Sequence, residues 1–182
     1  MGYLVAILGA AVLLGGWVLD LEILRSPFPE TASVKPLAAV GFILLGISTQ
    51  LASQTSHRLR GASNATASLT ILLVGYTALA AKIGNSALLL SDTYQQKMTE
   101  VPGEPSIGTL LCFLLLSGAS LIRSMDIKTR GAGIAAMMFA AASFAGYLFE
   151  IPELYWRVEG ISTAMPFYAA CFIGLLGWKY SR

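Results

Sequence analysis

The sequence predicts an all-α membrane protein, with six transmembrane helices built as three repeated helical hairpins. Composition is the first reason. The 182 residues are 55% hydrophobic and 12% charged, with a mean hydropathy of +0.69, whereas soluble domains carry about 25% charged residues. The second reason is the set of uncharged apolar stretches: Tyr3 to Leu19, Pro36 to Ala52, Ala65 to Ala81, Ile107 to Ile122, Ala132 to Phe149 and Ile161 to Trp178. Each lies at the short end of the roughly 17 to 25 residues that cross about 30 Å of hydrocarbon. Lipid admits only helices or closed barrels, and the strict alternation of a barrel strand is absent. The third reason is a phrase that recurs as KPLAAVGFILLG from Lys35, PSIGTLLCFLLLSG from Pro105 and AMPFYAACFIGLLG from Ala164. Each copy sets a proline, a small residue before phenylalanine (Gly41-Phe42, Cys112-Phe113, Cys171-Phe172), an aliphatic run and a glycine. Such self-similarity marks a repeated supersecondary unit, here an apolar segment, a polar loop and the phrase, within a single domain over residues 1–182.

Charge sorts the connections. One side holds Arg58, Arg60, Arg123, Lys128, Arg130, Lys179 and Arg182 with Asp126 as its acid. The other holds Arg25, Lys35, Lys82, Lys97 and Arg157 among Asp20, Glu22, Glu30, Asp92, Glu100, Glu104, Glu150, Glu153 and Glu159. Lys and Arg in short loops mark the cytoplasmic side. The second and fourth connections and the C-terminus are therefore expected in the cytoplasm, and the N-terminus outside.

The first span has no basic region before it, which separates it from a secretory signal, and its small pairs Ala6/Ala10 and Ala11/Gly15 suit close helix packing in lipid. Trp17 falls at the outer boundary. In the next loop, Pro27 and Pro29 rule out continuous helix, and Lys35-Pro36 opens the second span with proline in the first turn. The inner turn Ser53 to Asn64 places His57, Arg58 and Arg60 at anionic headgroups. Lys82 closes the third span and snorkels to the interface. Residues 87–98 put Ala87, Leu90, Tyr94 and Met98 on one helical face, reading as an interfacial helix or a lid. The alanine-rich fifth span, with small residues on several faces, takes a central place. Cys112 and Cys171 lie inside spans and act as small apolar side chains.

These segments together resemble a known family. LLGGWVLDLEILRSPFPETASVKPLAAVGFILLG, VPGEPSIGTLLCFLLLSG and AGYLFEIPELYW are similar to the multi-pass membrane input region of bacterial sensor histidine kinases and diguanylate cyclases. Gly16-Trp17, Lys35-Pro36, Phe42, Cys112-Phe113, Gly146-Tyr147 and Leu154-Tyr155 carry the likeness, while Leu37-Ala38-Ala39 stands where those proteins have Thr-Ala-Leu. The resemblance implies a signal-transduction (two-component) sensor domain in the bacterial inner membrane. It passes an outer-face or in-membrane cue to a cytoplasmic kinase or cyclase output.

The chemistry agrees with a non-enzymatic role. No glycine-rich phosphate loop, zinc-ligand spacing or nucleophile–base pair occurs, so neither catalytic residue, metal nor cofactor is expected, and no basic nucleic-acid surface forms. The expected partners are the lipid bilayer, a second copy or a larger membrane complex, and the output domain if the chain is a fragment. A candidate ligand-binding rim on the outer face comprises Trp17, Asp20, Tyr94, Tyr147, Glu150, Glu153, Tyr155 and Trp156. The alternative is a small accessory or scaffold subunit of a larger membrane complex. A third reading, a small-solute transporter, has no acid within the spans to support it.

Overall fold

The computed structural model describes residues 1–28, 31–83, 104–123, 125, 128–157 and 162–182. The chain is all-helical, with seven α-helices in order and no strand among the described residues. They are α1 (Gly2–Ala11), α2 (Glu22–Arg25), α3 (Pro36–Leu51), α4 (His57–Ile83), α5 (Ile107–Arg123), α6 (Arg130–Phe149) and α7 (Phe167–Ser181). Two of them, α4 and α6, are long and apolar enough to cross a membrane. The segment 87–98 and Tyr94 lie outside the described residues.

The three helices that carry the recurring phrase, α3, α5 and α7, touch one another pairwise. Around them α4 bridges α3 and α5, α6 bridges α5 and α7, and α1 bridges α3 and α7. Phe42, Phe113, Leu45, Leu116, Ile173 and Leu176 are buried in this centre. The alanine-rich α6 is thus peripheral, not central. Ala136, Ala140 and Gly133 form its buried stripe against α7 while Ile134, Met138 and Leu148 stay exposed. One stripe of small residues suffices for that close packing.

The backbones approach most closely at glycines. A Cβ at Gly177 would lie 2.8 Å from the Gly133 carbonyl, and one at Gly46 would lie 2.7 Å from the Ala6 amide. Gly118, the glycine of the middle copy, faces open space.

Several boundaries differ from the apolar stretches. The basic turn is short: α4 starts at His57, so Arg58 and Arg60 stand on its first turn, and its 27 residues extend about 40 Å at 1.5 Å per residue. The last helix starts at Phe167, because Pro166 holds an extended conformation (φ −62°, ψ 145°), and residues 162–166 stand outside any helix. After α1 the chain widens into a π-helical stretch, Val12–Val18. Gly15 and Gly16 there let α2 fold back, since a Cβ at Gly16 would sit 2.8 Å from Arg25 Cγ.

The N-terminus is not on the side opposite the C-terminus. Gly2 packs against Gln50, and Lys179 Nζ donates to the Gln50 side-chain oxygen at 2.9 Å, so both termini share the basic end. The physical reason is parity: an even number of alternating helices returns a chain to the end from which it started.

Candidate functional site

The predicted rim residues that are described, which leaves out Tyr94, lie at the acidic end and are held in separate groups. Trp17, turned inward by the π-helical stretch, donates its indole N–H to the Val34 carbonyl at 2.9 Å. Arg25 covers its ring with the guanidinium 5.2 Å from the centroid and pairs with Asp20 at 2.6 Å. Asp20 itself takes a left-handed conformation (φ 55°) at the end of that stretch.

Tyr147 and Tyr155 form the second group. Their rings stack at 4.6 Å, the Tyr147 hydroxyl donates to the Met165 carbonyl at 2.6 Å, and the Met165 amide donates to the Tyr155 carbonyl at 2.7 Å. Gly146 permits this fold-back, because a Cβ there would lie 2.9 Å from the Tyr155 nitrogen. Phe167 extends the aromatic layer to Phe144 and Phe28. Trp156 faces elsewhere: it stacks on Phe139 at 4.9 Å over Gly108, where a Cβ would come within 2.6 Å of the indole. Its indole nitrogen is buried without a hydrogen-bond partner. Glu150 and Glu153 are exposed; Glu150, at φ 55°, ends α6.

The segments entering α5 and α7 are tied together at this same end. Thr163 Oγ1 donates to the Glu104 carbonyl at 3.1 Å, and the Ile107 amide donates to Ser162 Oγ at 3.2 Å. Lys35, only 2% exposed, has its ammonium pulled down to about 7 by burial. Burial likewise pushes the half-buried Glu104 carboxyl up. Lys35 was not among the candidate residues. The signal was present in Lys35-Pro36 and Met165-Pro166, equivalent entries to α3 and α7, where a lysine occupies a methionine's place.

A second group missed in the sequence is a set of hydroxyls near the basic end. Ser48 Oγ meets Ser120 Oγ and donates to the Ser63 carbonyl at 3.0 Å, while Ser63 Oγ donates to the Ser48 carbonyl at 2.9 Å. Tyr180 reaches Thr49 Oγ1 at 3.3 Å, and Lys179 Nζ donates to the Thr49 carbonyl at 2.9 Å. Thr49, Ser120 and Lys179 hold the same place two turns beyond Phe42, Phe113 and Phe172, so aligning the three copies was the available signal. These bonds fasten the last turn of α7 to α3.

Beside this cluster opens a cleft of about 480 Å³ lined by Arg60, Arg123, Lys128, Arg130, Arg182 and Tyr180, among others. No group of three or more His, Cys, Asp and Glu side chains that could hold a metal ion occurs among the described residues. The chain matches no family model, and no curated protein or solved structure matches it.

Proposed function

We propose that the chain is a membrane-embedded input module of a bacterial signal-transduction protein. In this reading it crosses the inner membrane six times as three hairpins, with both termini in the cytoplasm, and passes a cue through α7 to a cytoplasmic output. Support for the membrane setting comes from the flanks. Leu4, Ile7, Leu14, Leu69, Leu72, Leu79, Met138 and Leu148 are exposed around the bundle, and the apolar windows of α4 and α6 are 28% buried, unlike the core helix of a soluble protein. Apolar faces of this extent need an apolar surrounding, and the basic residues gather at one end.

The observation that carries the signalling reading is the fastening of α7. Lys179 and Tyr180 bind its last turn to Thr49 and Gln50 of α3, so the helix leading out of the module moves with the bundle centre. A cue acts on such a helix only by binding two bundle arrangements with different affinity.

Two experiments test this. With Cys112 and Cys171 replaced, a cysteine beside Arg182 stays unreactive toward a membrane-impermeant maleimide in intact cells, and labelling from outside overturns the topology. In a chain carrying a diguanylate cyclase output after Arg182, Lys179→Met shifts basal output severalfold. Equal output at equal expression overturns the signalling role.

One observation favours the accessory-subunit reading as well. The outer face of α4 exposes Ala65, Ser68, Leu72 and Gly75, and Gly75 has open space beside it, a surface suited to a partner helix.

A further inference from the structure

The cleft at the basic end gathers five cationic side chains, and no Asp or Glu among the described residues lines it. Three of its four guanidinium groups are positioned by neighbours, and the fourth, that of Arg130, is exposed at the start of α6. Arg60 Nε donates to the Gln54 carbonyl at 2.9 Å, Arg123 stands over the Tyr180 ring at 5.5 Å, and Arg182 stands over the Trp178 ring at 4.4 Å. Arg123 also donates to the Lys179 carbonyl at 3.4 Å. Like charges held together in this way repel. The effect registers at neighbouring Lys179, whose ammonium is lowered to about 8 by burial and then by Arg123. The start of α6 opens on the same space through Thr129 and Arg130, adding the positive end of a 20-residue helix. Arginine presents a planar fork that matches phosphate oxygens, and the cleft lies within the range of about 300 to 1,000 Å³ usual for small-ligand sites.

We propose that this cleft is a binding site for a phosphate ester, held by Arg123, Arg130 and Arg182. The ester bridges the ends of α5, α6 and α7. An acidic phospholipid headgroup and a soluble phosphate offer the same chemistry, and the first is already concentrated at this level of an inner membrane. Binding itself needs neither the signalling role nor the assigned orientation. Occupancy as a control on α7 rests on the proposed input function.

The test uses the purified full chain. Thermal unfolding and native mass spectrometry are run in nanodiscs of phosphatidylcholine, with and without phosphatidylglycerol, and in detergent with inorganic phosphate or glycerol 3-phosphate. Arg130→Gln and Arg182→Gln alter exposed side chains and leave the fold intact; Arg58→Gln, on the same end but outside the cleft lining, is the matched charge control. The expected result is retention of phosphatidylglycerol or of the soluble ester with a rise in melting temperature. Affinity falls at least tenfold in the Arg130→Gln/Arg182→Gln chain and less than twofold in Arg58→Gln. A response to phosphatidylglycerol alone assigns the site to lipid, and a response to both assigns it to the phosphate group. Equal losses in all variants, an equal response to chloride, or no response overturns the site, and labelling of a cysteine at Arg182 separately decides the orientation.

Discussion

Phe42 sets its ring edge-on against Phe113, with centroids 4.8 Å apart. The same ring meets Phe172 edge-on at 5.0 Å, so one side chain of α3 keys both other inner helices. Removing it deletes contacts on two sides of a fully buried position. Phe42→Ala is expected to cost about 3–5 kcal/mol in unfolding of the detergent-solubilised chain. Phe28→Ala, at a ring 54% exposed, is expected to cost well under half as much. Equal losses would remove the central role assigned to Phe42.

The glycines of the phrase separate cleanly. Gly177→Val forces a side chain against the Gly133 carbonyl and the Met137 backbone nitrogen, and a steep drop in melting temperature is expected. Gly118→Ala, in open space, is expected to be neutral or stabilising by up to about 1 kcal/mol through helix propensity. A Gly177→Val chain as stable as the parent would show that α6 and α7 do not cross at that point.

Lys35 gives the fold a pH dependence whose sign follows from linkage. The folded chain releases this proton near 7 and an unfolded lysine near 10.4. Between those values the unfolded state binds more protons, and stability rises with pH by up to about 1.4 kcal/mol per unit. Below the folded value both states are protonated and the contribution is flat. Because Lys179 is lowered only to about 8, the interval from pH 7 to 8 reports mainly on Lys35. Lys35→Met, which copies the residue at Met165, is expected to flatten unfolding free energy across that interval. An unchanged slope would mean that the ammonium keeps its ordinary affinity for protons.

The hydroxyl cluster predicts coupling. Ser48 and Ser120 are both fully buried and hydrogen-bonded to each other across α3 and α5. A double-mutant cycle with Ser48→Ala and Ser120→Ala is expected to give an interaction energy of about 1 kcal/mol. Ser53→Ala, exposed and donating to the Gln50 carbonyl of its own turn, should show no coupling to Ser120. Additivity at Ser48 and Ser120 would disconnect the two helices there.

The helical class and the start of α3 are legible in the sequence because long apolar runs and Pro36 act locally. The central place of α3, α5 and α7 is not, since alanine content points instead to α6. Small residues report how near a neighbour comes, not how many neighbours there are. At the candidate rim, the sequence marks Trp17 and Tyr155, but which rings face each other depends on loop fold-back. That is set by the left-handed turns at Asp20, Glu150 and Trp156, which no periodicity announces. Ser48, Thr49 and Ser120 are hard to read from the sequence because single hydroxyls in apolar runs carry little hydropathy signal. Aligning the three inner helices marks the position of Thr49 and Ser120, and Ser48 joins them only through the packing of α3 on α5.

Gln50 stands between the two chain ends, with Gly2 on its backbone and the Lys179 ammonium on its amide. In the proposed membrane setting, tags fused at Met1 and at Arg182 therefore share one compartment whichever way the bundle is oriented. They also lie close enough for halves of a split fluorescent protein to join within a single molecule. Fluorescence from the doubly tagged chain at expression too low for self-association would display that nearness directly, with no reference to which face of the bilayer is which.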